Sequence, residues 1–272
     1  MRQGIKHLIP SPLVRPLREG YLAVRRLPDL PQAYLHPWRR RSIAALDELL
    51  DKYAGGRAFI IGNGPSLKNT DLKKLRNEFT FGLNRIYLNF RAMGFATSCL
   101  VSVNDLVIQQ CVSEMQALEI PRFLAWRSHV HLAPATPPAA LPAFLYTTYE
   151  SPLFARDARG RVWEGATVTY VAMQLAFHMG FRQVVLIGVD HEFASKGEAN
   201  QTVVSEGDDP NHFSPEYFGK GFRWQLPDLV MSELAYRMAR EAYEKAGREL
   251  VDATVGGKLQ VFPKVDYNSL FK

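Results

Sequence analysis

A short apolar run that ends in Gly62-Asn63-Gly64-Pro65-Ser66 constrains this chain more than any other stretch. The run, Arg57-Ala58-Phe59-Ile60-Ile61, reads as a buried parallel strand over residues 57–62. A turn with two glycines at the carboxyl end of such a strand lets backbone N–H groups come close to a ligand without a Cβ clash. Ligands of open α/β sheets bind at that edge. The pattern is neither G-x-x-x-x-G-K-[ST] nor G-x-G-x-x-G, so it matches no P-loop and no dinucleotide fingerprint. A plain tight turn explains the glycines equally well. Pro65 suits the start of a helical turn, and the Ser66 hydroxyl and the Asn63 amide are polar groups at the strand tip.

Further apolar runs repeat the pattern at 79–83, 98–103, 122–126, 143–147, 183–189 and 248–252. Helical periodicity occupies 42–53, a short piece near 70–76, then 105–117, 166–179 and 228–246. The alternation predicts an α/β fold with a doubly wound, mostly parallel sheet, Rossmann-like in plan. The proline-rich piece 134–142 reads as a loop. Residues 191–227 are polar and rich in glycine and proline, and a connection of that length is usually functional, often a lid over the site.

Charge divides the chain. Residues 1–42 carry nine Lys/Arg against two acidic residues, a net of +7, so the remaining residues hold −1 of the total of +6. Apolar side chains interleave with those cations, a pattern that fits a segment lying on anionic lipid, and equally a helical extension packed on the body or on a second subunit. The reading is a basic extension over 1–42 and one catalytic domain over 43–272 with a lid at 191–227. No basic stripe continues into the domain, which argues against nucleic acid. No run approaches the ~18 apolar residues of a membrane span, and Pro10, Pro12 and Pro16 break up any signal-peptide core. Two cysteines, Cys99 and Cys111, make no disulfide framework and fit free thiols in a reducing cytoplasm. No Cys/His spacing suggests a metal, and no cofactor is expected.

The carboxyl ends of the strands supply a coherent polar set. The first gives Gly62, Asn63, Gly64 and Ser66, the second Asn84 and Arg85, the third Asn104 and Asp105, and strand 183–189 gives Asp190, His191 and Glu192. Neutral amides at three strand ends suit a sugar, ribose or base edge, although Asn104 is also placed to cap the following helix. Gly165-Ala166-Thr167 opens helix 166–179 with small residues that permit a close approach, either of ligand or of the sheet. In the lid, His212 is the general-base candidate, with Tyr217, Lys220, Arg223 and Trp224 nearby to stack on or neutralise a phosphate. Asp105, Asp190 and Glu192 could hold Mg²⁺ only in a different chemistry.

Together, Ile60 to Leu67, Leu83-Asn84-Arg85, Val103-Asn104-Asp105, Met179-Gly180-Phe181 through Leu186 to Asp190, and Asn211-His212 resemble the bacterial sialyltransferases of the Campylobacter lipooligosaccharide type. The order and rough spacing match over about 57–255. The Gly-x-Gly-Pro-Ser-Leu turn is also similar to the wider DUF115 or MptE-like group, which includes archaeal 6-hydroxymethyl-dihydropterin pyrophosphokinases and flagellin-glycosylation proteins. The tail Asp252 to Leu259 resembles a bacterial branch of that group often found in glycan loci. The first resemblance implies a GT-A-like sialyltransferase variant of the Rossmann plan. It implies metal-independent, inverting transfer from a CMP-activated sugar; with a cell-surface glycan as acceptor, the basic extension 1–42 would place the protein in the cytoplasm at the inner face of the cell membrane. Asn63, Ser66, Asn84 and Asn104 would hold the nucleotide and His212 would deprotonate the acceptor. The chain departs from that pattern where tyrosines should follow the Gly-x-Asp strand: it reads His191-Glu192-Phe193. Two alternatives stand beside this one, an ATP- and Mg²⁺-dependent diphosphokinase of the pterin type and a non-catalytic nucleotide-binding module.

Overall fold

Apolar runs too short to satisfy their own backbone must pair with one another, and here they pair side by side in one direction. The computed structural model describes residues 11–133, 141–149, 152–195 and 197–271. Helices α1 (Ser11–Arg26), α2 (Leu30–Leu35) and α3 (Pro37–Asp47) lead to β1 (Arg57–Ile61). Then come β2 (Phe79–Leu83), α4 (Phe90–Met93), β3 (Cys99–Ser102), α5 (Asp105–Gln116), β4 (Arg122–Ala125), β5 (Ala143–Thr148) and β6 (Arg161–Trp163). The chain continues through α6 (Val168–His178), β7 (Gln183–Ile187), β8 (Thr202–Val204), β9 (Arg223–Gln225), α7 (Leu229–Lys245) and β10 (Glu249–Asp252). Eight of the strands form one sheet in the order β10-β7-β1-β2-β3-β4-β5-β6, every pair parallel. This is the α/β, Rossmann-like fold read from the alternation.

The strand order fixes where a ligand can sit. From β1 the chain steps outward to β6, then returns through α6 to lay β7 on the other flank of β1. The reversal lies between β1 and β7, the switch point at which α/β sheets open a crevice. Helix α6 is buried from Thr169 to His178 and packs on α7, β1, β2 and β3, so its start is carried to the same edge.

Most element boundaries fall within two residues of expectation, and the exceptions have local causes. The helix expected at 42–53 runs instead over Pro37–Asp47. Pro37 occupies the first turn, where its missing N–H costs nothing, and the His36 ring accepts from Trp38 N–H at 3.2 Å. The piece near 70–76 is a 3-10 turn over Leu72–Leu75, capped by Asp71. Helix α6 begins two residues late because Gly165 and Ala166 are left-handed (φ 52° and 60°) and Thr167 is the cap. Of the proline-rich loop 134–142, residues 134–140 lie outside the described residues. The long segment 191–227 is more built than a bare lid: β8 and β9 pair antiparallel, and Phe213, Tyr217, Phe218, Trp224 and Leu226 are buried. The basic extension also reaches into the body. Arg39 is fully buried, donating to the carbonyls of Arg159 (2.7 Å) and Gly160 (3.3 Å), and Ser42 Oγ accepts from Phe144 N–H at 2.9 Å.

The two glycines of the opening turn serve a purpose other than the expected one. Gly62 N–H donates to Ile187 O at 2.8 Å and Gly64 N–H to Gly188 O at 2.9 Å. A Cβ on Gly62 would lie 2.2 Å from Gly188 O, and one on Gly64 would lie 1.7 Å from an Asp190 carboxylate oxygen. These glycines bring two strand ends together; their N–H groups are spent on protein. Gly62→Ala is expected to cost about 2–4 kcal/mol of stability, measured by urea unfolding. A loss under about 1 kcal/mol would show that the β1–β7 approach is not tight.

Candidate functional site

At the carboxyl edge of the sheet, the ends of β1, β2, β3 and β7, the start of α6 and the segment after β7 enclose a cavity of ≈ 740 Å³. That volume is in the range of small-molecule and cofactor sites. Of the residues expected to form a site, Gly62, Asn63, Gly64, Asn84, Asn104, Asp105, Thr167, Asp190, His212 and Tyr217 line it. Ser66 and Lys220 do not. Lys220 is exposed on the covering segment. Ser66 is turned to Asp190: its N–H and hydroxyl donate to the two carboxylate oxygens at 3.0 and 2.7 Å. Asp190 therefore anchors the short helical turn after β1, so neither group of Ser66 is left for an incoming anion.

The three asparagines divide between structure and site. Asn104 Oδ1 caps α5 by accepting from Leu106 N–H (3.0 Å) and Val107 N–H (3.3 Å), so the helix-cap reading holds for that residue. Asn84 sits in the left-handed region (φ 47°), which Asn tolerates, and its Oδ1 pairs with Ser102 Oγ at 2.9 Å. Asn63 donates from Nδ2 to Leu83 O at 3.0 Å, and that carbonyl fixes which way the amide points. Its buried Oδ1 meets no donor among the described residues, and Asn63 borders the cavity. Thr167 caps α6, whose positive end faces the same space.

His212 is a half-buried titratable group of the cavity wall. Its Nδ1 lies 2.7 Å from Asp209 Oδ2. The Asp209 carboxylate also accepts from Asn211 N–H (2.8 Å) and Phe218 N–H (3.1 Å), so it is surrounded by donors. In the neutral imidazole this contact places the proton on Nδ1, the tautomer in which Nε2 carries the lone pair. The imidazole stacks on Tyr217, with ring centroids 4.0 Å apart and planes 14° apart. Burial pushes the Tyr217 phenol far above its ordinary range, so it stays neutral.

The covering segment that carries His212 is fastened to strand ends. Phe213 N–H donates to Asn63 O at 2.9 Å. The Arg85 guanidinium donates to the carbonyls of Tyr217 and Glu216 and lies over the Phe222 ring. Arg223 and Gln110 exchange main-chain and side-chain hydrogen bonds at 3.0 and 2.8 Å. Arg127, after β4, is the one lysine or arginine among the described residues of the lining, and it is held by Glu164, Thr147 Oγ1 (3.0 Å) and Val103 O (2.6 Å). Applying the strand-end rule to β4 finds Arg127 in the sequence; the Asp209-x-x-His212 spacing finds the dyad. Tyr149, also in the lining, carries no comparable sequence signal.

Opposite, His191 is left-handed (φ 58°) and its Nε2 lies 3.1 Å from Glu233 Oε1 on α7. Asp105 accepts from Ser128 Oγ at 2.7 Å and contacts His131 at 3.0 Å. Among the described residues no group of three His, Cys, Asp or Glu gathers as a metal cluster.

A parallel sheet with a cavity at its switch point defines a Rossmann-like α/β protein. The chain belongs to the 6-hydroxymethylpterin diphosphokinase MptE-like family, whose pattern matches residues 39–196. A solved structure, the MAf glycosyltransferase from Magnetospirillum magneticum AMB-1, is similar at 14% identity and a TM-score of 0.48. The match covers 87% of this chain and 39% of that one, so this chain spans less than half of that protein's length. No curated protein matches this sequence.

Burial outweighs the two Ser66 hydrogen bonds at Asp190 and raises its carboxyl above the ordinary value. Between the ordinary and the raised value the folded chain binds more protons than the unfolded one, so this group's contribution to stability falls as pH rises through that window. Asp190→Asn keeps an acceptor for Ser66 but does not ionise. Its unfolding free energy is expected to fall less than the parent's from acidic to neutral pH, as read by urea titrations across that range. A parallel decline in both proteins would remove Asp190 as the source.

Proposed function

We propose that this protein is a transferase acting on a nucleotide-activated donor, in the sense of a glycosyltransferase, with His212 as the general base. The observation that carries this reading is the His212–Asp209 pair: one ring nitrogen fixed by a buried carboxylate and the other left for the cavity. The donor's nucleotide would lie against the ends of β1, β2 and β3, where Asn63 and Asn84 offer neutral amide groups. An acceptor hydroxyl would give its proton to His212 Nε2 as its oxygen bonds to the anomeric carbon. The bond from that carbon to the phosphate oxygen would break, and the electron pair would leave on the nucleotide. Attack opposite the departing phosphate inverts the anomeric centre. The reading needs no metal, because the proton transfer and the orientation come from protein groups. A CMP-linked, sialic-acid-like sugar is the donor first to be tried, with a cell-surface glycan as acceptor.

The family description favours a second reading, diphosphoryl transfer from ATP with Mg²⁺. Two features weigh against it. The strand-end carboxylates are engaged, Asp190 by Ser66 and Asp105 by Ser128. The one arginine among the described residues of the lining is tied to Glu164 rather than open to a triphosphate.

Thermal unfolding with CMP, CDP, UDP, GDP and ATP, each with and without Mg²⁺, separates the readings. Stabilisation by a pyrimidine nucleotide that survives EDTA is expected; a shift confined to ATP with Mg²⁺ would overturn the glycosyl-transfer reading. His212→Ala is expected to lower turnover by about 10²–10⁴-fold while leaving nucleotide stabilisation intact. Asp209→Asn is expected to lower turnover by at least about tenfold, by releasing the ring from one tautomer. Unchanged turnover in His212→Ala would remove this residue as the base.

A further inference from the structure

Among the described side chains of helix α1, from Leu17 to Arg26, one apolar residue is buried and three others are exposed on a different face. At about 100° per residue, Leu17, Tyr21 and Val24 fall within an arc of roughly 60°. All three are exposed, at 55%, 52% and 63%. Leu22 lies roughly 100–160° round the helix from them and is buried at 6% exposure. Among its described side chains the helix thus buries Leu22 and turns a separate apolar stripe outward. Leu27 and Leu35 extend the exposed apolar surface at 57% and 70%. Including Tyr34, six of the fifteen large apolar side chains exposed among the described residues lie in positions 17–35, a concentration a surface does not keep without a use.

The cations stand at the border of that stripe. Arg25 lies over the Tyr21 ring, 5.8 Å from its centre, and Arg18 and Arg25 are exposed on the flank beyond Tyr21. The first 42 residues carry a net +7 while the rest carry −1. Long arginine stems beside an apolar stripe let the side chains enter an interface while the charges stay in the headgroups.

We propose that α1 is a docking surface for an anionic lipid bilayer, lying in the interface plane with Leu17, Tyr21 and Val24 inserted and Arg18 and Arg25 on lipid phosphates. A second copy of the chain fits less well, because a two-fold contact through this face would set one arm's cations against the other's. Among the described residues no helix is long and apolar enough to cross a membrane, so the contact is with the surface. The inference concerns a part of the molecule distinct from the cavity and stands whether or not the cavity transfers a sugar.

The test is co-sedimentation of the full chain with phosphatidylcholine vesicles, alone or mixed with phosphatidylglycerol. Binding to the anionic vesicles is expected, weak on the neutral ones and reduced by added salt. The pair Leu17→Glu and Val24→Glu, and separately Arg18→Glu and Arg25→Glu, should each lower binding by about tenfold or more. These positions are exposed, so circular dichroism and nucleotide-induced thermal shift should match the parent. Equal binding to neutral vesicles, or retained binding in both variants, would overturn the proposal. So would a dimer in light scattering that the Leu17→Glu, Val24→Glu pair converts to monomer.

Discussion

The contact between the end of β1 and the end of β7 is the constraint on which the rest depends. Those two strands lie side by side in space but are separated by more than half of the sheet in sequence, because β2 to β6 intervene. Gly62 and Gly64 spend their N–H groups on Ile187 and Gly188, and Asp190 reaches across to Ser66. Packing at Gly188 is equally close, since a Cβ there would lie 2.6 Å from the Leu67 side chain. Once the crossing is fixed, Asn63 is held at the mouth of the crevice, with its carbonyl available to Phe213 and its amide directed at Leu83. The site is thus a consequence of how two strand ends are joined.

The covering segment depends on that contact in turn. Its fastening points are the carbonyl of Asn63, the guanidinium of Arg85 and the Gln110 amide, all on elements of the main sheet or its first-layer helix. Arg85 acts on Tyr217 through its carbonyl, and Tyr217 stacks on His212. Asp209 binds the His212 ring and the main chain of Phe218 with the same carboxylate oxygen. The ring is therefore oriented by both a charge and a packed surface, and the packed surface is tied to Arg85 after β2. A histidine in a long polar segment would ordinarily lose much of its usefulness to motion; here the anchoring removes that freedom before any ligand arrives.

The fold was legible because its signals are local. Continuous apolar runs such as Ala58 to Ile61 and Val184 to Ile187 can only be buried strands when helices separate them, and a parallel sheet follows. Three-residue strands such as Arg161–Trp163 show no period and were invisible. The strand-end rule found most of the cavity wall, since it depends only on direction along the chain. It assigned the wrong task to the glycines and to Ser66, because a close approach to another strand and a close approach to a ligand need the same residue type. Only the register of β1 on β7 tells them apart. Asn104 shows the same ambiguity: a cap and a ligand group look identical in sequence, and here the cap is formed.

The basic arm shows what charge alone leaves open. A net of +7 in 42 residues suits lipid, a partner subunit or plain solvation, and the sequence does not choose. Burial divides the residues by task. Arg39 has gone into the body, where desolvation lowers its pKa to about 10, and it holds the carbonyls of Arg159 and Gly160. Arg18 and Arg25 remain outside next to an apolar stripe that is exposed among the described residues. Cations whose purpose was solubility would be found without that stripe, and a helix meant only to pack would bury it. The pairing of the two on one exposed face, with Leu22 buried, is the ground on which a lipid surface is proposed rather than a mere extension of the fold.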